Sequence, residues 1–124
     1  MSPSSAGNRN RAISHAVRGL VASFMRSEGF DAVAKAHISR ISEGIDAALD
    51  PDIAGIDGVH IDVSSRVQHR LSEDLDDARR TAAINGRHIA ALVQYRPSRD
   101  VEQSFVVMGL DHFSKLLRDS GHSP

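Results

Sequence analysis

The sequence predicts an α/β domain in which a mixed β-sheet is flanked by helices. Apolar runs of strand length alternate along the chain with stretches whose apolar residues recur at helical spacing. The run HIAALVQY follows directly after one such helical stretch, and a strand–helix–strand connection pairs its two strands in parallel. Because a hairpin is predicted before this crossover, the sheet is expected to be mixed.

The first part of the chain predicts one long helix and then a segment of mixed signals. Apolar side chains recur every three or four positions over residues 10–28, which predicts a helix that Gly29 ends in a left-handed cap. Residues 30–50 combine signals for a strand around residues 32–38 with signals for a short helix around residues 42–49. No internal repeat is present.

The segment PDIAGIDGVHIDVSS predicts a β-hairpin around Asp57-Gly58. Its second strand alternates an apolar set, Val59, Ile61 and Val63, with a polar set, His60, Asp62 and Ser64. Two registers are open. A two-residue loop places Asp52 opposite Val63, with its carboxylate on the face away from Asp62. A three-residue loop from Ile56, ending in a left-handed Gly58 bulge, places Asp52 directly across from Asp62.

The second half of the chain predicts a helix, two strands and a closing helix. The helix in SEDLDDARRTAAING has Ser72 as its predicted N-cap and Gly86 just beyond its end. HIAALVQY is predicted to be a central strand that is covered on both faces. SFVVMG predicts another strand, and DHFSKLLRDSG predicts a last helix from near Asp111.

Length and composition limit the classes of protein that are available. A chain of 124 residues suits one domain, predicted over residues 10–118 between disordered tails at 1–9 and 119–124. No apolar run is long enough to cross a bilayer and no signal-peptide segment is present, so we expect no membrane partner and a cytoplasmic location. The lack of cysteine excludes disulfides and thiolate zinc sites. The few aromatic residues fall mostly at core spacing, which argues against a stacking platform for single-stranded nucleic acid.

Charge is distributed unevenly along the chain. Residues 1–40 carry six basic and two acidic side chains, residues 41–77 carry two and ten, and residues 78–124 carry seven and four. An acidic centre between basic flanks fits an ordinary solvated surface, and it also fits a cation site whose flanks face phosphates. Thirteen of the fifteen basic residues are arginine, which suits bidentate phosphate contacts.

The two aspartates of the predicted hairpin require a chemical explanation. An ionised carboxylate on a half-buried strand is costly unless it is paired or bound to a metal. If Asp52 and Asp62 meet, they can hold Mg²⁺ or Mn²⁺ together with a backbone carbonyl and waters. The metal hypothesis therefore requires the three-residue loop. His60 shares a face with Asp62 and is a candidate ligand or general base, although a histidine there more often only borders the sheet.

The residues Pro51-Asp52 and, nine residues later, Asp62-Val63-Ser64 resemble the PD-(D/E)xK nuclease motif. The predicted order of elements is similar to the αβββαβ restriction-endonuclease-like core of that family, here followed by a C-terminal strand and helix. The span from DIAGIDGVHIDV to SFVVMGLDHFSKLL resembles small phage-encoded proteins of Holliday-junction-resolvase-like type over nearly the whole chain.

The resemblance implies a set of metal ligands and a missing cation. Asp52 and Asp62 match the two acidic ligands, the carbonyl of Val63 joins them, and Ser64 stands where the family has its catalytic lysine. A serine hydroxyl cannot stabilise developing negative charge as an ammonium does. The candidates for the displaced cation are Arg66, which shares the face of Asp62 if the strand continues, Lys35, Arg79 and Arg80. On the second helix the family places a polar pair near Asp77 and Arg80, whereas Asp74 is better explained by the helix dipole.

Three functions remain open at this point. The first is a metal-dependent DNA endonuclease that acts as a homodimer on duplex or branched DNA, in the bacterial host cytoplasm if the protein is phage-encoded. The second is a nuclease-like fold that binds DNA without efficient cleavage, and the third is a phage protein that binds and inhibits a host protein. The predicted DNA-binding residues are Arg11, Arg18, Arg66, Arg70 and Arg80.

Overall fold

The structure, a computed structural model, describes residues 3–35, 50–65 and 70–122, and it is an α/β fold with the predicted order of elements. The elements are α1 (Pro3–Ser27), β1 (Val33–Ala34), β2 (Ile53–Ala54), β3 (Val59–Ser64), α2 (Leu71–Ile84), β4 (Ile89–Gln94), a 3₁₀ turn (Val101–Gln103), β5 (Phe105–Val107) and α3 (Leu110–Asp119). β1 confirms a strand within the predicted segment 32–38. The rest of that segment beyond Lys35, and the helix predicted around residues 42–49, lie outside the described residues.

The five strands form one mixed sheet in the order β1-β2-β3-β4-β5. β3 and β4 run parallel, and the other neighbouring pairs are antiparallel. α2 is the crossover between the two parallel strands, as the sequence predicts. All six residues of β4 are buried, which confirms a central strand covered on both faces.

The two faces of the sheet pack against different helices. Toward α1 lies the main apolar cluster of Val21, Ala22, Ala32, Ile53, Ile61, Ala91 and Val93. On the other face, Ala78 and Ala82 of α2 pack against Ala90 of β4. Because side chains alternate along a strand and Ile61 faces α1, the polar set of β3 faces α2.

α1 begins earlier than predicted and ends where predicted. It starts at Pro3 and therefore extends into the segment 1–9 that was expected to be a tail. Proline fits the first turn of a helix, but the small polar residues after it have no apolar periodicity from which the start could be predicted. At the other end Gly29 has φ 100, and the N–H of Phe30 donates to the carbonyl of Met25 at 3.1 Å, which closes the last turn.

The N-cap of α2 is Arg70 and not Ser72, so this part of the prediction is wrong. The N–H of Asp74 donates to the carbonyl of Arg70 at 2.9 Å, which makes Arg70 the first residue to accept a helical hydrogen bond. Ser72 lies inside the first turn and makes no cap. The predicted C-terminal stop is confirmed, because Gly86 follows the helix with φ 69.

α3 is tied to the rest of the fold by polar contacts. The guanidinium of Arg79 donates two hydrogen bonds to the carboxylate of Asp111, both 2.8 Å long. Nδ1 of His112 accepts the N–H of Ala90 at 3.0 Å. Ala90 lies in β4 outside the stretch of that strand that pairs with β5. No residue of α3 is buried.

Several aromatic side chains lie at the surface, which corrects the prediction that they fall mostly in the core. Phe30, Phe105 and Phe113 are about half exposed. The sequence pattern marks amphipathic elements correctly, but it does not show that β5 and α3 lie at the edge of the sheet. Within the described part of the chain, no helix combines the length and apolar composition needed to cross a membrane.

Candidate functional site

The hairpin has the register that brings its two aspartates together. Ile53 pairs with Ile61, so Asp52 lies opposite Asp62, as the three-residue loop predicts. The alternative loop would have paired Asp52 with Val63. The structural condition of the metal hypothesis is therefore fulfilled.

Two glycines produce this register. The N–H of Val59 donates to the carbonyl of Ile56 at 3.3 Å and closes a turn in which Gly58 has φ 76. Gly55 has φ 96, and a Cβ atom at this position would collide with the carbonyl oxygen of Asp31. The register is thus the predicted one, but it uses a second left-handed glycine in addition to Gly58.

Both carboxylates accept hydrogen bonds from the opposite strand. The N–H of Val63 donates to Oδ2 of Asp52 at 2.9 Å, and the N–H of Asp52 donates to Oδ1 of Asp62 at 3.2 Å. The side chains thereby continue the hairpin beyond its last paired residues. Because N–H and C=O of one strand residue point to the same side, the carbonyl of Val63 also faces Asp52.

His60 is fully buried beside the pair. Its Nε2 atom lies 3.1 Å from Oδ1 of Asp62, which is within ion-pair distance. The direction of approach is not that of a hydrogen bond, and neither ring nitrogen has a hydrogen-bond partner among the described residues. A buried polar group without such a partner is costly, so the presence of an imidazole beside Asp62 points to a functional role.

The donor set of the pair fits a hard divalent cation. Carboxylate oxygens and main-chain carbonyls are the ligands that Mg²⁺ and Mn²⁺ take in proteins. A carboxylate has about four lone-pair sites, so it can accept an N–H and bind a metal at the same time. Across residues 3–35, 50–65 and 70–122, no group of three or more histidine, aspartate or glutamate side chains is placed to hold a metal. Among the described residues, a metal here would have the two carboxylates, the carbonyl of Val63 and water as its ligands.

Ser64, the residue that the sequence resemblance aligns with a catalytic lysine, is buried. It pairs with Gln94 of β4, which is also buried, and its carbonyl accepts the N–H of Tyr95 at 2.9 Å. Neither side chain supplies a positive charge. Sequence reasoning did not single out Gln94, although a polar residue inside the apolar run HIAALVQY was an available signal.

Lys35 is the lysine that the fold places next to the carboxylates. Its N–H donates to the carbonyl of Asp52 at 2.9 Å, which continues the pairing of β1 with β2 by one residue. Lys35, Asp52 and Asp62 therefore occupy neighbouring positions on three adjacent strands. The side chain of Lys35 is exposed, so its ammonium lies in solvent at this end of the sheet.

Three of the arginines proposed as cations or DNA contacts have carboxylate partners elsewhere. The pairs are Arg79 with Asp111, Arg80 with Asp77, and Arg70 with Glu73. The hydrogen bond from each guanidinium to its carboxylate raises the pKa of Arg79 and of Arg70. Arg79 links α2 to α3 and is not available near Asp62, whereas Arg70 and Arg80 remain exposed at the surface.

The other predicted residues are dispersed. Arg18 lies on the sheet-facing side of α1 beside the buried Val17, and its Nε atom is buried with no hydrogen-bond partner in the described ranges. Arg66 lies outside the described residues, and so does the side chain of Arg11. Among the predicted cations within the described residues, only Lys35 has a backbone position beside the aspartates.

The acidic residues of α2 are arranged differently from the prediction. Asp77, expected near the site, lies on the exposed side of α2, where Arg80 Nη1 approaches its carboxylate at 3.0 Å. Asp74 is half-buried and precedes the buried Ala78 by four residues, so it shares the sheet-facing side of the helix. The helical spacing of Asp74 from Ala78 and Ala82 was the sequence signal that could have placed Asp74 on the sheet-facing side of α2.

Sequence reasoning also missed two arginines at the end of β4. Arg96 and Arg99 follow this strand at the end of the parallel pair where Asp62 and Ser64 lie. Ligands of α/β sheets bind at the carboxyl ends of parallel strands. The guanidinium of Arg96 lies 4.3 Å from the centre of the Phe105 ring, and Arg99 is exposed.

The chain matches no protein-family model, no curated protein and no solved structure. The resemblance to PD-(D/E)xK nucleases therefore stays a prediction from the sequence. Over the described residues, the architecture is that of an α/β protein with a five-stranded mixed sheet flanked by three helices, with a pair of aspartates at the open end of its hairpin.

Proposed function

We propose that this protein is a metal-dependent DNA endonuclease of PD-(D/E)xK type, with a restriction-endonuclease-like core and a displaced catalytic lysine, that acts on duplex or branched DNA. The observation that carries the proposal is the register that sets Asp52 opposite Asp62 beside the carbonyl of Val63. Mg²⁺ or Mn²⁺ held there supplies a Lewis acid for a phosphate oxygen and acidifies a bound water.

The residues around the pair have separate roles in this proposal. Asp52 and Asp62 bind the cation, and their backbone partners hold both carboxylates in place. His60 is a positioning residue, because its buried ring restricts the directions that the carboxylate of Asp62 can take. Asp62 lies within β3, and Asp52 directly precedes β2.

Lys35 supplies the positive charge that Ser64 cannot. An ammonium on a flexible four-carbon stem reaches a phosphate beside the neighbouring strand and stabilises the negative charge that develops on it. Ser64 is buried between strands, and Arg79 is occupied by Asp111. These positions favour Lys35 over the arginines of α2 as the displaced cation.

DNA approaches the end of the sheet at which β3 and β4 finish. Arg96 and Arg99 follow β4 there, and Arg70 precedes α2 at the same end. Basic side chains at this position hold phosphates and set the orientation of the duplex without reading its sequence. The proposal therefore expects little sequence preference and strong dependence on salt.

The test is cleavage of labelled duplex and four-way-junction DNA in Mg²⁺ or Mn²⁺. Asp57→Asn is the matched control for Asp62→Asn, because Asp57 belongs to the same hairpin but is exposed in the turn. We expect the wild type and Asp57→Asn to cut, a chelator to stop the reaction, and Asp62→Asn to lose at least about 100-fold in rate. No cleavage by the wild type with either metal would contradict the proposal.

A second candidate function is DNA binding without hydrolysis. One observation favours it: both aspartates already accept backbone N–H groups and hold the strand ends together. This function expects the wild type to bind DNA with an affinity that falls steeply with salt. It also expects no cleavage, and no change in DNA affinity for Asp62→Asn.

A further inference from the structure

A phenylalanine and an arginine contact each other at the surface of the outer strand β5. The guanidinium carbon of Arg96 lies 4.3 Å from the centre of the Phe105 ring, which is within the range of a cation–π contact. Phe105 is nevertheless 55% exposed, so much of this residue stays in contact with solvent. The sequence predicts aromatic residues mostly in the core, and this surface pair is visible only in the structure.

Arg96 is held in place by contacts other than a carboxylate. Its Nη1 atom donates to the carbonyl of Gln103 at 3.5 Å, and its guanidinium lies over the Phe105 ring. The arginines of α2 and of its N-cap are each paired with a carboxylate, whereas no carboxylate among the described residues forms an ion pair with Arg96. The positive charge of Arg96 is therefore available to a ligand.

The turn after β4 fixes the position of a second arginine. The N–H of Arg99 donates to the carbonyl of Arg96 at 3.2 Å, which closes a four-residue turn with Pro97 at its second position. Ser98, the third residue, has φ 71, and among the described residues it is the one residue other than glycine with a positive φ. This conformation is strained for serine, and such strain is typical of functional sites. The turn holds the Cα atoms of Arg96 and Arg99 within about 7 Å of each other.

Phe105 lies on the same face of the sheet as Asp62. Residues that pair directly across neighbouring strands share a face, and Ser64, Gln94 and Phe105 form such a row across β3, β4 and β5. Asp62 precedes Ser64 by two residues and therefore shares that face. Because neighbouring strands are about 4.8 Å apart, Phe105 lies roughly 10 Å from β3. The pair of Phe105 and Arg96 thus borders the candidate metal site.

We propose that Phe105 and Arg96 bind an unpaired base of single-stranded DNA, and that Arg99 binds a phosphate next to it. The choice of DNA as partner rests on the proposed function, but this binding requires neither a metal nor hydrolysis. Unpaired bases stack on aromatic rings and on arginine planes, and every base can do so because each has a π-face. The bases of a continuous duplex are stacked inside the helix, so the site selects DNA that has unpaired bases.

The combination of side chains favours a nucleotide over other ligands. An arginine binds a lone phosphate or carboxylate without an aromatic ring, and an aromatic ring binds an apolar group without a cation. A nucleotide of a single strand uses both, a ring for its base and a cation for its phosphate. Phe105, Arg96 and Arg99 provide one ring and two cations at adjacent positions.

The test is fluorescence anisotropy of a labelled single-stranded oligonucleotide with the full chain, in excess chelator so that no metal is bound and no strand is cut. An abasic oligonucleotide of the same length is the matched ligand, because it has the same phosphates but no bases. We expect the wild type to bind the natural strand at least about 10-fold more tightly than the abasic strand, because stacking stabilises each bound base.

Two variants locate the stacking. Phe105→Leu removes the ring, and Phe30→Leu is its control, because Phe30 is also half exposed but lies between α1 and β1. We expect Phe105→Leu alone to lose about 10-fold or more in affinity for the natural strand, with its affinity for the abasic strand and for duplex unchanged. Arg96→Lys keeps the charge but has no planar group, so it should also weaken binding of the natural strand. Circular dichroism checks that each variant is folded.

Three results would overturn the proposal. The first is a wild type that does not bind the single strand. The second is equal affinity for the natural and abasic strands, which means that only the phosphates are bound, and this comparison decides the question even if Phe105→Leu does not fold. The third is equal affinity of Phe105→Leu and Phe30→Leu for the natural strand. Failure of the nuclease proposal is seen separately, as uncut duplex and junction DNA in the presence of metal.

Discussion

Asp62 and Asp111 each tie two parts of the fold together, but with different partners. Asp111 receives two hydrogen bonds from the guanidinium of Arg79 on the surface, both 2.8 Å. Asp62 receives a backbone N–H inside the sheet and lies 3.1 Å from an imidazole. In the described ranges no lysine or arginine forms an ion pair with Asp62.

Within the described residues, the difference separates a carboxylate whose charge an arginine neutralises from one whose charge no lysine or arginine neutralises. The Arg79 guanidinium donates to Asp111 and holds the pKa of that carboxyl well below its usual range. Asp62 instead lies directly opposite Asp52, and like charges at opposite positions of two strands are destabilising. A cation at the hairpin, from a metal or from Lys35, would remove that repulsion.

The largest effect is expected from Lys35→Ala, which removes the ammonium that the proposal places beside Asp52 and Asp62. Metal-dependent cleavage should fall by about 100- to 1000-fold, because the ammonium no longer stabilises charge on the phosphate. Lys115→Ala is the control, since it removes the chain's other lysine from α3. Equal rates for the two variants in the cleavage assay would show that Lys35 has no such role.

The next effect concerns the backbone that sets Asp52 opposite Asp62. Gly55→Ala introduces a Cβ against the carbonyl of Asp31 and forces alanine into φ 96, so we expect a loss of about 2–3 kcal/mol in the free energy of unfolding. Gly86→Ala is the control, because its φ is also positive but its Cβ would meet open space. It should cost about 1 kcal/mol. Urea unfolding measures both, and similar losses would mean that the contact with Asp31 does not constrain the hairpin.

His60→Leu tests whether the imidazole beside Asp62 is retained at the expense of stability. Replacing a buried polar ring that has no hydrogen bond within the described residues with an apolar side chain should raise the free energy of unfolding by about 1 kcal/mol. His112→Leu should lower it by about 1 kcal/mol, because Nδ1 of His112 accepts the N–H of Ala90. Urea unfolding measures the stability of both variants. A loss of stability in His60→Leu would mean that the ring makes stabilising hydrogen bonds, which a purely functional role does not require.

The smallest effect belongs to Asp111, whose charge is already neutralised. Asp111→Asn should lower the stability of the protein modestly near neutral pH. The pKa of Asp111 is lowered in the folded state, so its contribution is complete above the unfolded-state pKa near 4 and is lost progressively between that value and the lower folded-state pKa. Unfolding curves for the wild type and Asp111→Asn should therefore converge in acid. A difference that persists at low pH would contradict the pairing with Arg79.

The sequence predicted the order of elements and the two alternative registers of the hairpin, because strand and turn signals are local. Gly58 and the apolar alternation of β3 required no tertiary information. The choice between the registers did require it, since Gly55 adopts its left-handed conformation against Asp31, which is distant in sequence.

Other features of the site depend on long-range pairing and could not be predicted. The place of Lys35 follows from the register of β1 with β2, and neither strand has more than two residues of its own. The partial exposure of the apolar stripe of α3, greatest at Leu110, follows from the place of this helix at the edge of the fold. Amphipathic spacing alone predicts that such a stripe faces the core.

The central claim is that Asp52 and Asp62 form one cation site, and isothermal titration of Mn²⁺ tests it most directly. The proteins to compare are the wild type, Asp52→Asn, Asp62→Asn and, as the control with a neutralised carboxylate, Asp111→Asn. We expect saturable binding to the wild type and to Asp111→Asn, and its loss in both hairpin variants. No binding to the wild type, or unchanged binding to Asp62→Asn, would contradict the claim.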